Sequence, residues 1–420
     1  MTFTHSSLQD GPELTGRMIV TFADSAELTS SVNRLNSMGG FRIASSMDMA
    51  GELPSDQSVV FENLGIAVLA ADPERLQVLT VAGAEDASIL ATEPEVVCYA
   101  IDESDYLRGF EDGVNSLIKS LRNGSSTGTA VMDRPAMEGQ TSTWGLDATK
   151  VPLSQYTGKG TRVAVLDTGL DLSHPDFQGR AIVHASFVPG EPVQDRQGHG
   201  THCIGTALGP KSPSRTVKRY GIAYESEIFV GKVLSNAGSG NSGWILNGIS
   251  WAASQGCSVI SMSLGSPAWP GQPYFQYYEI AAQRALKLGS IIIAAARNES
   301  RRQLGQVNPV GHPANCPSVM AVAAVDSRLQ VAPFSCAGIN GNGGQVDIAG
   351  PGVDVYSTWP GGYNTVSGTS MATPHVAGIA ALHAQSSGAR GTALWQVLTS
   401  TAKRLPSSST DVGNGLVQAP

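Results

Sequence analysis

Five short apolar runs, residues 163–167, 228–234, 258–263, 290–296 and 319–325, recur through the second half of the chain with stretches of helical character between them. Runs that are apolar at nearly every position belong to strands covered on both faces, and strands alternating with helices join by crossovers. The pattern predicts an α/β protein with a mostly parallel sheet and helices on both of its faces. In open sheets of this kind the chemistry collects at the carboxyl ends of the strands. The first run ends in Asp167, and the fourth is followed by Arg297-Asn298-Glu299.

Two other segments carry reactive groups. Gly198-His199-Gly200-Thr201-His202 places a histidine at the start of a helix, and Gly368-Thr369-Ser370-Met371 sets a serine where an extended loop becomes helical. The free N–H groups of a helix start suit a developing oxyanion, and Gly368 and Thr369 leave room for a substrate backbone. A serine hydroxyl is a weak nucleophile without a base and an orienting carboxylate. The chain order Asp167, His199, Ser370 is one of the unrelated orders that build the same triad.

The blocks AVLDTGLDLSHPDF, GHGTHCIGT and SGTSMATPHVAG resemble, in sequence and order, the three active-site blocks of the subtilisin-like serine proteases, and the resemblance spans roughly residues 141–420. It implies a serine endopeptidase acting on polypeptides, with Ser370 as nucleophile, His199 as general base and then acid, Asp167 fixing the histidine tautomer, and Asn298 donating its amide to the oxyanion. Gly238, Ser239 and Gly240 become one rim of a peptide cleft, and Ser263, Leu264 and Gly265 the other. Ala294, Ala295 and Gly311 match a roomy, mostly apolar specificity pocket, so large apolar or aromatic side chains before the scissile bond are the default expectation. His312-Pro313 matches a position where a cis proline often shapes the pocket wall. One residue departs from the family: glycine usually precedes the oxyanion asparagine, and here it is Arg297. Three outcomes stay open: Arg297 narrows the pocket, favours an acidic substrate side chain, or points to solvent, the last being the simplest. Catalysis requires no cofactor. Asp176 matches a structural calcium ligand and Asp195 offers a second hard oxygen, but the loop after Thr206 lacks the usual Asn/Asp ligands, so that site is expected to be absent or altered.

A rival reading starts from residues 238–243, which satisfy GxGxxG after a strand and before a helix and so suggest dinucleotide binding. It needs an acidic residue about 20 positions further on, yet no Asp or Glu occurs between residues 228 and 278.

Charge divides the chain. Residues 1–140 carry 8 Lys+Arg and 21 Asp+Glu, a balance of −13, whereas residues 141–420 carry 19 and 14, a balance of +5. The two parts are expected to attract each other, which suits an N-terminal domain docked on its own enzyme, although solubility alone also explains the asymmetry. No basic stripe favours nucleic acid, and no stretch approaches membrane-spanning length. Strand patterns at residues 17–22, 41–45, 64–70 and 96–101 and helical ones at 25–38 and 73–81 give β-α-β-β-α-β, a small ferredoxin-like α+β domain resembling the inhibitory pro-domains of subtilases. The expected organisation is a tail (1–15), a pro-domain-like inhibitor (16–101), an amphipathic helix and linker (102–142) and the catalytic domain (143–420). Self-cleavage is expected between Ile101 and Thr143.

Five cysteines cannot all pair within one chain. Cys203 reads as a buried free thiol, and Cys316 and Cys336 as a bridge if the protein is secreted. Met1 to Thr15 lacks an apolar core, so cytoplasmic residence is the literal expectation unless an export sequence has been removed. Two alternatives to a general endopeptidase remain: a non-catalytic peptide-binding relative, and a protease dedicated to a single regulatory partner.

Overall fold

A seven-stranded parallel sheet carries the C-terminal part of the chain. Its strands are β6 (Arg162–Asp167), β7 (Ile182–Ser186), β8 (Glu227–Lys232), β10 (Val259–Met262), β12 (Ile291–Ala295), β13 (Met320–Val325) and β14 (Ile348–Pro351), in the order β14-β13-β12-β10-β6-β8-β7. The computed structural model describes residues 12–23, 28–39, 41–46, 54, 56–70, 75, 86–101, 141–215 and 218–420.

Successive side chains of a strand point to opposite faces, and here both faces are apolar. Val163 and Val165 join a core with Ile204, Val376 and Ala380, while Ala164 and Leu166 join one with Leu246, Ile249 and Tyr277. Helices α2 (His199–Leu208) and α5 (Thr369–Ser387) thus cover one face, and α3 (Ser242–Ser254) and α4 (Gln276–Lys287) the other. No described helix is long and apolar enough to cross a membrane. All five long apolar runs are central strands. The two strands absent from the sequence reading lie at the sheet's edges: Ile182–Ser186 is partly exposed, and Ile348–Pro351 is interrupted by Gly and Pro.

The N-terminal region is a small α+β unit. Its strands β1 (Leu14–Phe22), β2 (Ile43–Ser45), β3 (Ser58–Phe61), β4 (Ile66–Leu69) and β5 (Ile89–Ala100) pair in the order β5-β1-β4-β3-β2, and α1 (Leu28–Gly39) covers one face. Val20, Phe22, Ala67 and Leu69 pack with Leu28 and Leu35 of α1, whereas Ile19, Ile66 and Val68 share the core of α3 and α4. The second half of the period-2 pattern is therefore buried against the larger part of the molecule. β3 is an addition to the expected order, and β5 begins seven residues before its expected start at Val96. The expected helix at 73–81 and the helix and linker at 102–142 lie almost wholly outside the described residues.

Two glutamates of β5 meet the starts of the two helices beneath it. Glu93 accepts from the Gln276 and Tyr277 N–H groups (3.0 and 3.1 Å), and Glu95 from the Gly243 N–H (2.9 Å). A carboxylate at a helix N-terminus satisfies orphan donors and complements the helix dipole. Glu95, fully buried, also forms a bidentate pair with Arg17 (2.7 Å for each bond).

Candidate active site

The acid stands at the end of β6. Asp167 Oδ1 lies 2.8 Å from His199 Nδ1, and both residues are 1% exposed. Burial alone depresses the imidazole pKa, but the neighbouring Asp167 carboxylate outweighs it, and His199 is held well above its ordinary value. The bond to Asp167 occupies Nδ1, leaving Nε2 as the atom free to exchange a proton; it has no hydrogen-bond partner.

His199 opens α2, and the orphan N–H groups of that helix start are all engaged. His199 N–H donates to Gln197 Oε1 (2.7 Å), Gly200 N–H to Thr168 Oγ1 (2.8 Å) and Thr201 N–H to Asp195 Oδ2 (2.9 Å). Asp195 also accepts from the Thr168 hydroxyl (3.0 Å) and the Gly198 N–H (2.9 Å). It joins the strand carrying the acid to the helix carrying the base. A side chain at position 200 would collide with the Gly169 carbonyl, so glycine there lets the helix approach the strand end. Beneath, the buried Lys232 donates to the Thr168 carbonyl (2.6 Å) and pairs with Glu191 (3.3 Å), its own pKa lowered by burial.

The serine sits in the first turn of α5, fully buried. Its hydroxyl donates to the Ser263 carbonyl (3.1 Å), and the Ser263 hydroxyl returns a bond to the Ser370 carbonyl (2.8 Å). Cys203 Sγ lies 3.9 Å from His199 Nδ1 and 3.6 Å from the Ser370 carbonyl, between base and nucleophile. Asp167, His199 and Cys203 form a compact buried group, but the imidazole nitrogen in it is already bonded to Asp167 and burial raises the Cys203 thiol pKa.

Asn298 follows β12. Its Oδ1 accepts from the N–H and hydroxyl of Thr369 (3.0 and 2.9 Å), which orients the amide and leaves Nδ2 unpartnered. A Cβ placed on Gly368 would lie 3.1 Å from that Nδ2 and 3.2 Å from the Ile101 carbonyl oxygen. The end of the N-terminal strand and the free amide therefore converge beside the serine.

The expected cleft rims are strands. β9 (Ser239–Asn241) and β11 (Leu264–Gly265) both pair antiparallel with β5, in the register Tyr99 opposite Ser239 and Gly265, and Ala100 opposite Leu264. Ala100 N–H donates to the Gly238 carbonyl (2.9 Å) and Ile101 N–H to the Ser263 carbonyl (3.4 Å). Residues 97–101 thus lie between the rims as an added strand.

A family model described as Subtilase family (Peptidase_S8) matches residues 158–415. The chain belongs to the subtilase family. Among similar subtilases, subtilisin E of Bacillus subtilis (strain 168) is 42% identical over 272 residues, covering 63% of this chain and 67% of that protein. Subtilisin of Bacillus pumilus is 44% identical over 245 residues, 57% of this chain and 83% of that one. The solved structure of Sphericase superposes with a TM-score of 0.58 at 33% identity, covering 67% of this chain and 99% of its own. As a subtilase with an Asp-His-Ser triad, the protein is a serine endopeptidase, and it needs no cofactor for catalysis.

Several expectations for this subtilase change. Arg297 does not point to solvent: it is 8% exposed, with its guanidinium on Glu299 (2.5 and 2.8 Å). Ala294 and Ala295 are fully buried strand residues, and Gly311 lies against the Arg297 stem. Cys316 and Cys336 are not bridged; all five cysteines are buried free thiols. His312-Pro313, by contrast, is cis as the matching family position implies. Asp195 acts as a hydrogen-bonding brace, accepting from the Thr168 and Thr201 hydroxyls and from the Gly198 and Thr201 N–H groups. Asp176 is fully committed too: Oδ1 accepts from the N–H and hydroxyl of Ser214 (2.7 and 2.6 Å), and Oδ2 from the hydroxyls of Tyr220 and Tyr363 (2.5 and 2.9 Å). Four donors aimed at one carboxylate form a poor cation site, because each hydroxyl turns its proton, not its lone pair, toward the acid.

The sequence reading had no signal for Lys232, an isolated lysine ending an apolar strand. Asp195 did have one, lying four residues before His199 and thus within reach of the start of its helix.

Proposed function

We propose that this endopeptidase is made as a self-inhibited zymogen whose own strand β5 occupies the substrate cleft, and that the first bond it cuts is the one following Ile101. The observation that carries the reading is the antiparallel pairing of residues 97–101 with both rims, which brings the Ile101 carbonyl next to Gly368 and Asn298 Nδ2.

In this reading Ser370 Oγ rotates from the Ser263 carbonyl toward His199 Nε2 and attacks the carbonyl carbon of Ile101. The serine proton passes to Nε2, and Asp167 stabilises the imidazolium through Nδ1. The oxyanion takes hydrogen bonds from Asn298 Nδ2 and the Ser370 N–H, groups already fixed in place by Thr369 and the helix start. Collapse breaks the C–N bond, with the Nε2 proton going to the leaving amine, and water then hydrolyses the acyl ester with His199 as base. The new carboxyl terminus at Ile101 remains held by its strand pairing, so cutting and release are separate events. The domain boundary near 101 belongs to the same proposal.

We further infer that Asp176 serves this chain as a hydrogen-bonding hub in place of a calcium ligand. Ser214, Tyr220 and Tyr363 supply the positive ends of dipoles where a cation would otherwise sit.

Labelling with a fluorophosphonate tests the zymogen reading. Ser370 is expected to react fast only in chains that have lost the N-terminal region, and Ser370→Ala not at all. Equal rates in intact and shortened chains contradict self-inhibition.

A further inference from the structure

The geometry points to Arg297 as the residue that sets substrate specificity, by filling the floor of the pocket for the side chain before the scissile bond and restricting it to small and mid-sized aliphatic residues. The inference rests on the proposed placement of Ile101 as the residue preceding the cut.

Arg297 has φ +88°, in the left-handed region that favours glycine and disfavours side chains. A residue held there needs external constraints, and three exist. Its N–H donates to Thr369 Oγ1 (3.0 Å), its carbonyl accepts from the Cys336 N–H (3.0 Å), and its guanidinium pairs with Glu299. The backbone is thereby tied to the same threonine that orients Asn298, one residue before Ser370.

The side chain turns inward. A Cβ on Gly311 would collide with Arg297 Cδ and lie 2.6 Å from the Ser266 carbonyl, so the arginine stem occupies the space that glycine leaves between β12 and the segment entering His312-Pro313. The stem fills what the resemblance presents as a roomy pocket. Strand register carries Ile101 opposite Ser263, three residues along the same rim from Ser266, whose carbonyl borders this space, and Ile101 is 4% exposed. A branched four-carbon side chain is therefore the chain's own occupant.

Charge argues against an acidic substrate residue. Glu299 already neutralises the guanidinium, and a second carboxylate would face Glu299 across a buried site. Arg297 Nη1 has no hydrogen-bond partner, but the net charge of the pair is zero, so the floor excludes bulk without offering a free cation.

The test uses the purified full chain after it has processed itself and released its N-terminal region, with active sites counted by fluorophosphonate. A chain that does not label overturns the proposed function and this inference with it. In a chain that labels, kcat/KM is compared for peptides differing only in the residue before the cut: Ala, Val, Ile, Leu, Phe, Tyr and Glu. Wild type is expected to prefer Val or Ile over Phe by about tenfold or more, a discrimination within the range of an apolar pocket. Arg297→Gly suits the positive φ, so it is expected to fold and to shift the Phe/Ile ratio toward Phe by about tenfold or more. Glu299→Gln leaves the cation uncompensated and is expected to raise the rate for Glu relative to Ile. A wild-type preference for Phe or Glu, or a Phe/Ile ratio unmoved by Arg297→Gly, overturns the inference.

Discussion

Ile101 donates its backbone N–H to the Ser263 carbonyl at 3.4 Å, and the same carbonyl accepts the Ser370 hydroxyl at 3.1 Å. One oxygen thus holds both the last described residue of the N-terminal strand and the nucleophile. While the strand is seated, the serine is turned from His199 Nε2, so a small hydroxyl rotation separates the resting arrangement from the reactive one. Hydrogen bonds of this kind often tighten only when the reacting complex forms.

The His199–Asp167 pair sets the pH profile. The base works only when unprotonated, and its pKa lies above the ordinary imidazole value. Peptidase kcat/KM is expected to rise with pH through a midpoint above that value. Asp167→Asn is expected to lower kcat by about 10⁴-fold and move the midpoint down, because the carboxylate that raises the pKa has lost its charge. A pH–rate series on both proteins checks this; an unchanged midpoint contradicts it.

Glu95 tests how the N-terminal region is held. Its carboxylate takes two bonds from Arg17 and one from the Gly243 N–H, all buried. Glu95→Ala leaves Arg17 uncompensated, and breaking a buried pair in this way costs about 3–5 kcal/mol. In a Ser370→Ala background, which cannot cut itself, thermal unfolding of the N-terminal region is expected to fall well below that of the parent. Coincident transitions in the two proteins contradict the assignment.

The sequence made the catalytic centre legible because its chemistry is local: Asp167 ends an apolar run, His199 lies between Gly198 and Gly200, and Ser370 follows Gly368-Thr369, so each marks a strand end or a helix start. The central strands were legible because continuous burial leaves an unbroken apolar run. What stayed hidden depends on pairing across distance. Nothing local says that Glu93 and Glu95 cap helices almost 150 residues or more downstream, or that Ser214 and two tyrosines converge on Asp176. The choice among the three outcomes for Arg297 stayed open for the same reason: an arginine between Ala and Asn looks most simply solvent-seeking until Glu299 and Gly311 are seen to enclose it.

Asp176 carries a prediction about metal dependence. Burial tends to raise its pKa, but the bonds from Ser214 and Tyr220 outweigh that and depress it. Its depressed pKa contributes stability above the ordinary carboxylate range that is lost as pH falls through the folded value. Tyr220→Phe is expected to cost about 1.5–3 kcal/mol, the scale of a hydrogen bond to a charged group. A chelator is expected to leave the wild-type melting temperature unchanged. A large chelator-induced drop that Asp176→Asn abolishes contradicts the hub reading.

Asp347 behaves oppositely. Burial pushes its pKa up to about 7 although it accepts from the Ala321 N–H (2.8 Å). The protonated form is favoured in the fold, so its contribution is fully present below the ordinary aspartate value and is lost as pH rises through about 7. Asp347→Asn keeps an acceptor without the charge. Its stability relative to wild type is expected to grow as pH rises across that window, read from denaturant midpoints; a constant difference contradicts it.

The central claim is tested most directly by a time course of intact mass for the full chain beside its Ser370→Ala variant. The account predicts that wild type alone divides, giving an N-terminal fragment that ends at Ile101, while the variant stays whole. If both remain whole, or both divide at the same rate, Ser370 does not cut its own chain and the self-processing account fails.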